Sequence, residues 1–359
     1  MGRARIRDLG IHPGVYPTGA YNAITDVPGV LVGHTTLNQD EPNSVHTGVT
    51  VIVPRDRAIG HDNAFAGFHR FNGCGEMTGV QWIEETGLLT SAIALTNTHQ
   101  IGMVHDSLAE FSFMHDEFGP FYLPVVAETF DGFLNDMSAA ALTREHVFEA
   151  MLSAKSGPVA EGSVGGGTGM ICHDFKGGIG TSSRIVEVKG AIYTVGTMVQ
   201  SNYGDREQLR VDGVPVGREI DEEKVPIPWR FRPASSSIIV IIATDAPLLG
   251  DQCKRLAQRA TSGLARVGGV GHNTSGDLFL AFATGHHIPA HPEGLFQLGA
   301  TLPAGFLNPF FDAVAESVEE SILNALTAAE TMTGYQGRRA YGLPLDQLQE
   351  VMAKYGRRS

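Results

Sequence analysis

Cysteine is scarce in this sequence. Three residues among 359, Cys74, Cys172 and Cys253, stand far apart, and no C-x-x-C occurs. An odd, scattered set argues against a disulfide framework or a zinc ribbon and fits a reducing compartment. Positive charge is also in short supply: 26 Lys and Arg against 39 Asp and Glu leave a formal net charge of −13. Without a basic stripe to displace counterions, no nucleic-acid partner is expected. The short basic clusters, Arg3-Ala4-Arg5-Ile6-Arg7 and Arg357-Arg358, read as solvated termini. No run of about 18 apolar residues is present, so no membrane span is expected. The basic N-terminus is not followed by the apolar segment of a signal peptide. On sequence grounds the expected location is the cytoplasm.

Common catalytic signatures are missing as well. There is no G-x-S-x-G nucleophile elbow, no Gly-Lys dipeptide and hence no P-loop, and no H-E-x-x-H. The run Gly165-Gly166-Gly167-Thr168-Gly169 departs from G-x-G-x-x-G, because Met170 occupies the third glycine position. His286, His287 and His291 cluster without a supporting carboxylate set and read as loop histidines. No metal and no cofactor is expected.

What is present is a chain 42% hydrophobic with 44 glycines, long enough for an ample core. Its patterning is mixed α and β. Strands are expected over Gly48–Pro54, Ser91–Thr96, Ala191–Val199, Ser237–Ala243 and Leu278–Ala283, the last two apolar on both sides and so covered on both faces. Helical spacing marks Thr143–Ala154, Asp251–Arg266, Pro309–Met332 with Gly334 as a C-cap, and Pro344–Lys354. The stretch Asn202–Pro233 is charged and proline-rich and reads as an exposed linker.

Three polar islands lie at strand ends. Ser235, Ser236 and Ser237 open the most hydrophobic strand, Ile238-Ile239-Val240-Ile241-Ile242. A hydroxyl there can be a nucleophile held by the core, and the peptide bond before it is within its reach. Ser275 and Asp277, two apart before Leu278, leave the same side of an extended chain. Asn202 closes the strand before Tyr203-Gly204. Each island is common by chance; their shared placement at strand ends is suggestive, because sites gather there.

The stretch Ser237 to Leu248 closely resembles the second-subunit N-terminus of the DmpA-like aminopeptidases, which include β-peptidyl aminopeptidases. Ile24–Val30, Pro124–Thr129, Gly165–His173 and Gly177–Arg184 are similar to the same family, so the resemblance covers most of the chain. It implies an α/β fold, a four-layer α-β-β-α sandwich, in one compact unit built from two autoproteolytic fragments, 1–236 and 237–359. The implied break is between Ser236 and Ser237, with Ser237 the nucleophile. Ser236 stands where the family usually has Gly or Asn. Carried over by position, Ser275 and Asp277 assist the nucleophile, Asp277 replacing a glutamate of the relatives. Asn202 binds the oxyanion, Glu128 receives the substrate ammonium, and Phe130 stands where the family often has Tyr.

The implied activity is a self-cleaving serine aminopeptidase. It releases N-terminal L-, D- or β-residues from short peptides, amides or esters with a free amino terminus. The implied assembly is a homo-oligomer, a tetramer by resemblance. Two other readings keep the fold: an amide hydrolase similar to nylon-oligomer hydrolases, or an acyltransferase similar to ornithine acetyltransferases, both with threonine as nucleophile. A third is a non-catalytic binding or scaffold protein.

Overall fold

The structure is a computed structural model and describes residues 2–115, 123–229 and 236–357. Ser235 and the last part of the expected linker lie outside the described residues. The first sheet has four strands, β1 (Leu31–Gln39), β2 (Val45–Val53), β5 (Ile93–Asn97) and β6 (Val125–Thr129), in the order β1-β2-β5-β6. The second also uses β3 (Asp62–Arg70) and β4 (Leu88–Leu89) from the first half of the chain. After the short pair β7 (Ile171–Cys172) and β8 (Phe175–Lys176) come β9 (Gly178–Val188), β10 (Ala191–Asn202), β11 (Ser236–Thr244) and β12 (Ser275–Pro289). Its order is β4-β3-β12-β11-β10-β9. Both sheets are mixed: β5 and β6 run parallel, as do β11 and β12, and their other neighbours are antiparallel.

Seven helices are found among the described residues: α1 (Val80–Thr86), α2 (Ile101–His115), α3 (Arg144–Ser153), α4 (Val216–Glu219), α5 (Gly250–Val267), α6 (Asn308–Ala328) and α7 (Leu345–Lys354). Helices α2 and α3 contact the four-stranded sheet, and α5 and α6 the six-stranded one. The strand beginning at Ser236 shows why its sequence is apolar throughout. Ile238, Val240 and Ile242 pack into a core shared with α5 and α6. Ile239, Ile241 and Ala243 pack the other way, into a core shared with the first sheet. β12 repeats the alternation, with Phe279, Ala281 and Ala283 on the first side and Leu278, Leu280 and Phe282 on the second. Each fully buried Ile or Phe of this kind contributes roughly 1.5–3 kcal/mol.

Helix α6 approaches β9 closely because β9 carries Gly180, where a Cβ would strike Ser321 O and lie 2.7 Å from Ala325 N. The same pair of elements is tied by Arg184, fully buried, which reaches Glu316 at 3.1 Å and Glu320 at 2.8 Å. Gly180→Ala should therefore cost roughly 1–3 kcal/mol by overpacking, read as a lowered melting temperature; an unchanged melt would show that α6 can retreat freely.

Three expectations need correction. The helix toward Met332 ends at Ala328, because Ala329 is extended at φ −76°, ψ 135°. Gly334 is therefore not its cap, and Met332 instead pairs with Ala340 in a short ladder. The charged stretch after Asn202 is not an exposed linker where it is described. Leu209, Val211, Val214, Val216, Ile220 and Val225 are buried in the core of the six-stranded sheet. Arg206 lies over the Phe175 ring at 3.5 Å and donates to Val225 O at 2.9 Å. Its apolar residues are spaced singly between charges, which masks them from any periodic reading. His286 and His287, expected on a loop, lie on β12.

Candidate active site

Three strand ends meet at the start of β11. Antiparallel register places Asn202 opposite Ser237, and parallel register places Ser275 opposite Ser236 and Gly276 opposite Ser237. The core on both faces of β11 holds this edge still, so Ser237 is 2% exposed. Its Oγ donates to Ser236 O at 2.6 Å and accepts from Gly276 N–H at 3.3 Å. The hydroxyl thus rests against the carbonyl of the peptide bond that precedes it.

On β12 the alternation puts Ser275 and Asp277 on one side, and Ser275 Oγ donates to Asp277 Oδ1 at 2.7 Å. Burial pushes the Asp277 carboxyl up from its ordinary value, and hydrogen bonds from Ser275, Asn72 and the Ile238 amide pull against that. The Asn202 side chain is held at both ends. Its Oδ1 accepts from Ile171 N–H at 2.9 Å, and one Nδ2 hydrogen goes to Phe130 O at 2.9 Å. An amide nitrogen has two hydrogens, so one donor remains. The short β7–β8 pair carrying Ile171 is itself anchored by fully buried Lys176, whose Nζ donates to Met170 O at 2.9 Å and Gly177 O at 2.8 Å. Burial pulls that ammonium down to about 7.

Glu128 comes from the other sheet, near the end of β6. Gln200 of β10 holds the two sheets together here, donating to Thr96 O and Thr129 Oγ1, each at 2.9 Å. The Glu128 carboxylate accepts from Glu76 N–H at 3.0 Å and from the Thr98 hydroxyl. It is 3% exposed, and burial pushes its carboxyl upward, with those two donors opposing. Gly75 separates it from the serine edge: a Cβ there would lie 3.2 Å from Glu128 Oε1 and 3.2 Å from Gly276 Cα. A side chain there would fit only if Glu128 or the start of β12 moved by a few tenths of an ångström.

Ser236, Ser237, Asn202, Ser275 and Asp277 are therefore brought together by three neighbouring strands, with Glu128 facing them across Gly75. Phe130 joins through its backbone carbonyl. Sequence reasoning missed Asn72, Gly75, Thr98 and the Ile171 amide. All four lie off the strands that the apolar pattern marks, and no spacing relates them. Among the described residues no group of three His, Cys, Asp or Glu could hold a metal ion, and no helix is long and apolar enough to cross a membrane.

The chain matches the model of peptidase family S58 over residues 22–340. It is 43% identical to the β-peptidyl aminopeptidase BapA of Sphingosinicella microcystinivorans, over 98% of this chain and 93% of the relative. Among solved structures, a Burkholderia sp. β-aminopeptidase is 49% identical with a TM-score of 0.92, covering 98% of this chain and 99% of its own. The L-aminopeptidase D-Ala-esterase/amidase of Ochrobactrum anthropi, described as a prototype of the serine aminopeptidases with a variant of the Ntn hydrolase fold, is 41% identical with a TM-score of 0.90 over 99% of both chains.

Proposed function

The chain belongs to peptidase family S58 and is an aminopeptidase, and from that premise we propose that Ser237 both cuts its own chain and attacks the substrate. One juxtaposition carries the reading: Ser237 Oγ lies 2.6 Å from the Ser236 carbonyl oxygen at an edge shared with Asn202, Ser275 and Asp277. Oγ attacks the Ser236 carbonyl carbon, and the peptide link shifts from nitrogen to oxygen. That shift breaks the C–N bond and frees the α-amine of Ser237, and hydrolysis of the ester then frees its hydroxyl and separates the two fragments. An α-amine titrates near 7.7–8.0 and serves as a base close to neutrality. The products are fragments 1–236 and 237–359, folded as one domain. A denaturing gel of the purified protein, with N-terminal sequencing of the smaller band, tests this. The expected first residue is Ser237, and an intact, inactive chain overturns the reading.

In the mature enzyme the remaining Asn202 N–H donates to the oxyanion while Ser275 and Asp277 relay protons and keep Ser237 in place. Asn202→Ala should lower kcat by about 10²–10³, with KM little changed, since such a donor acts mainly in the transition state. An equal rise in KM with constant kcat would assign Asn202 to ground-state binding instead. Glu128 receives the substrate ammonium, and Phe130 borders it. That ammonium contact makes the enzyme an aminopeptidase rather than an endopeptidase. The β-aminopeptidase relatives support N-terminal β-residues as substrates; the Ochrobactrum relative supports L-residue peptides and D-alanyl amides and esters.

The sheets and helices further support a four-layer α-β-β-α arrangement, since α2 and α3 contact one sheet, α5 and α6 the other, and one core joins both sheets. Three free cysteines support a reducing, cytoplasmic setting. The exposed Leu295, Phe296 and Leu298 support a homo-oligomer that covers them.

A further inference from the structure

A cavity of about 10 Å³ lies beside Ser236, lined among others by Tyr203, Gln208, His272, Ser275 and Asp277. That is the size of a single water, since a site needs roughly 10–15 Å³ of probe-occupied volume to hold one. Its lining is mixed, with Leu264 and Val270 beside these polar residues, and the polar members can supply the partners that a bound water requires. Tyr203 is 5% exposed, and its buried hydroxyl has no hydrogen-bond partner among the described residues. A buried hydroxyl left unpaired is unfavourable, so this one points to a bound partner. The phenol also lies near enough to Asp277 for the two to interact electrostatically.

We propose that this cavity holds the water that completes self-cleavage, with Asp277 as its base and Tyr203 as the residue that positions it. The inference rests on the reading of Ser237 as the self-cleaving nucleophile. Once the peptide link has shifted to Ser237 Oγ, the reacting carbon is the ester carbonyl of Ser236, which borders the cavity. Ser237 is almost wholly buried while Ser236 is half-buried, so water reaches the ester from the Ser236 side, where the cavity lies. The cavity water gives a proton to the Asp277 carboxylate, and its oxygen bonds to the Ser236 carbonyl carbon. The bond from that carbon to Ser237 Oγ breaks, and the proton returns from Asp277 to Oγ. The products are a Ser236 carboxyl group and a free Ser237 hydroxyl and α-amine, so ester plus water balances acid plus alcohol. Burial raises the Asp277 carboxyl, which makes it the better proton acceptor.

The test follows full-length chain made by cell-free synthesis, sampled over time into acid and treated under denaturing conditions with hydroxylamine, which splits esters but not peptide bonds. Tyr203→Phe keeps the ring and removes only an oxygen that hydrogen-bonds to no described residue, so its melting temperature should match that of the wild type. Cleavage should slow about 10- to 100-fold, the scale of a misplaced reactant, and chains that split at 236–237 only with hydroxylamine should accumulate. Cleavage at the wild-type rate overturns the proposal. So does slowing without ester, because the loss then falls on the attack by Ser237. Should Tyr203→Phe melt early, Val270→Ile replaces it: it adds one methylene to a residue lining the same cavity, leaving less room for the water, and is read by the same two outcomes. Ser237→Ala separates the layers. If that variant still cleaves, the underlying reading fails; if it is inert while Tyr203→Phe matches the wild type, only the water assignment fails.

Discussion

Ser237→Ala is expected to remain a single chain of 359 residues and to show no aminopeptidase activity. Both losses follow from one atom. Without Oγ nothing contacts the Ser236 carbonyl from the following residue, so the shift from amide to ester has no nucleophile. Without cleavage the α-amine of residue 237 stays locked in a peptide bond and cannot act as a base. Removing the nucleophile of a serine hydrolase costs on the order of 10⁶ in kcat, so turnover of an amino-acid amide should drop below detection. Stability should hardly change, since the hydroxyl is small and the apolar residues of β11 supply the packing. Timed denaturing gels and amide hydrolysis check the two losses separately. Persistent cleavage would move the nucleophile to Ser236. Cleavage lost with activity retained would mean that another group attacks the substrate. Ser237→Thr and Ser237→Cys should retain partial cleavage, as each keeps a nucleophile near the same carbonyl.

Glu128→Gln should lower kcat/KM for substrates with a free amine by roughly 30- to 5,000-fold, the range expected when one partner of a buried charge pair is neutralised. The glutamine keeps the size; its one oxygen can still accept from the Glu76 amide while its NH2 group donates to the Thr98 hydroxyl, so the fold should stand. The wild-type enzyme should hydrolyse an N-acetylated substrate poorly, and the variant no worse. Equal sensitivity of both substrates would remove the ammonium contact from the account. The pH dependence follows from the same carboxylate. Burial holds its pKa above the ordinary value of about 4.3 for glutamate. The charged form, present above that pKa, is the one that attracts an ammonium. As pH falls through the raised value the carboxyl is protonated and kcat/KM drops, at a higher pH than an exposed glutamate would give. Glu128→Gln should lose this limb and keep the separate one near 7.7–8.0 expected from the Ser237 α-amine.

The strand at Ser237 is legible in the sequence because its residues are apolar in both phases, which only a strand covered on both faces requires. The alternation also puts Ser275 and Asp277 on one side of β12, and their hydrogen bond follows from that local geometry. Strand ends are legible wherever a polar residue interrupts such a run, as at Asn202. The buried valines after Arg206 are not, because each stands alone between charges and their burial depends on which surface the chain returns to.

Glu128 marks the same boundary within the site. Nothing in the sequence near Pro124–Thr129 relates it to Ser237, more than a hundred residues away. Its place opposite the nucleophile is decided by two sheets packed face to face, by Gln200 bonding across them and by Gly75, whose missing side chain leaves room for both. The cavity at Tyr203 is likewise a product of packing, enclosed by β11, β12, the residue that follows β10 and the loop before β12. Residue type and local period thus determined by themselves which atoms could react and which faces would be buried, because both depend on neighbours in the chain. Which reactive groups meet was decided only by the tertiary structure, since long-range packing sets distances that no local pattern encodes.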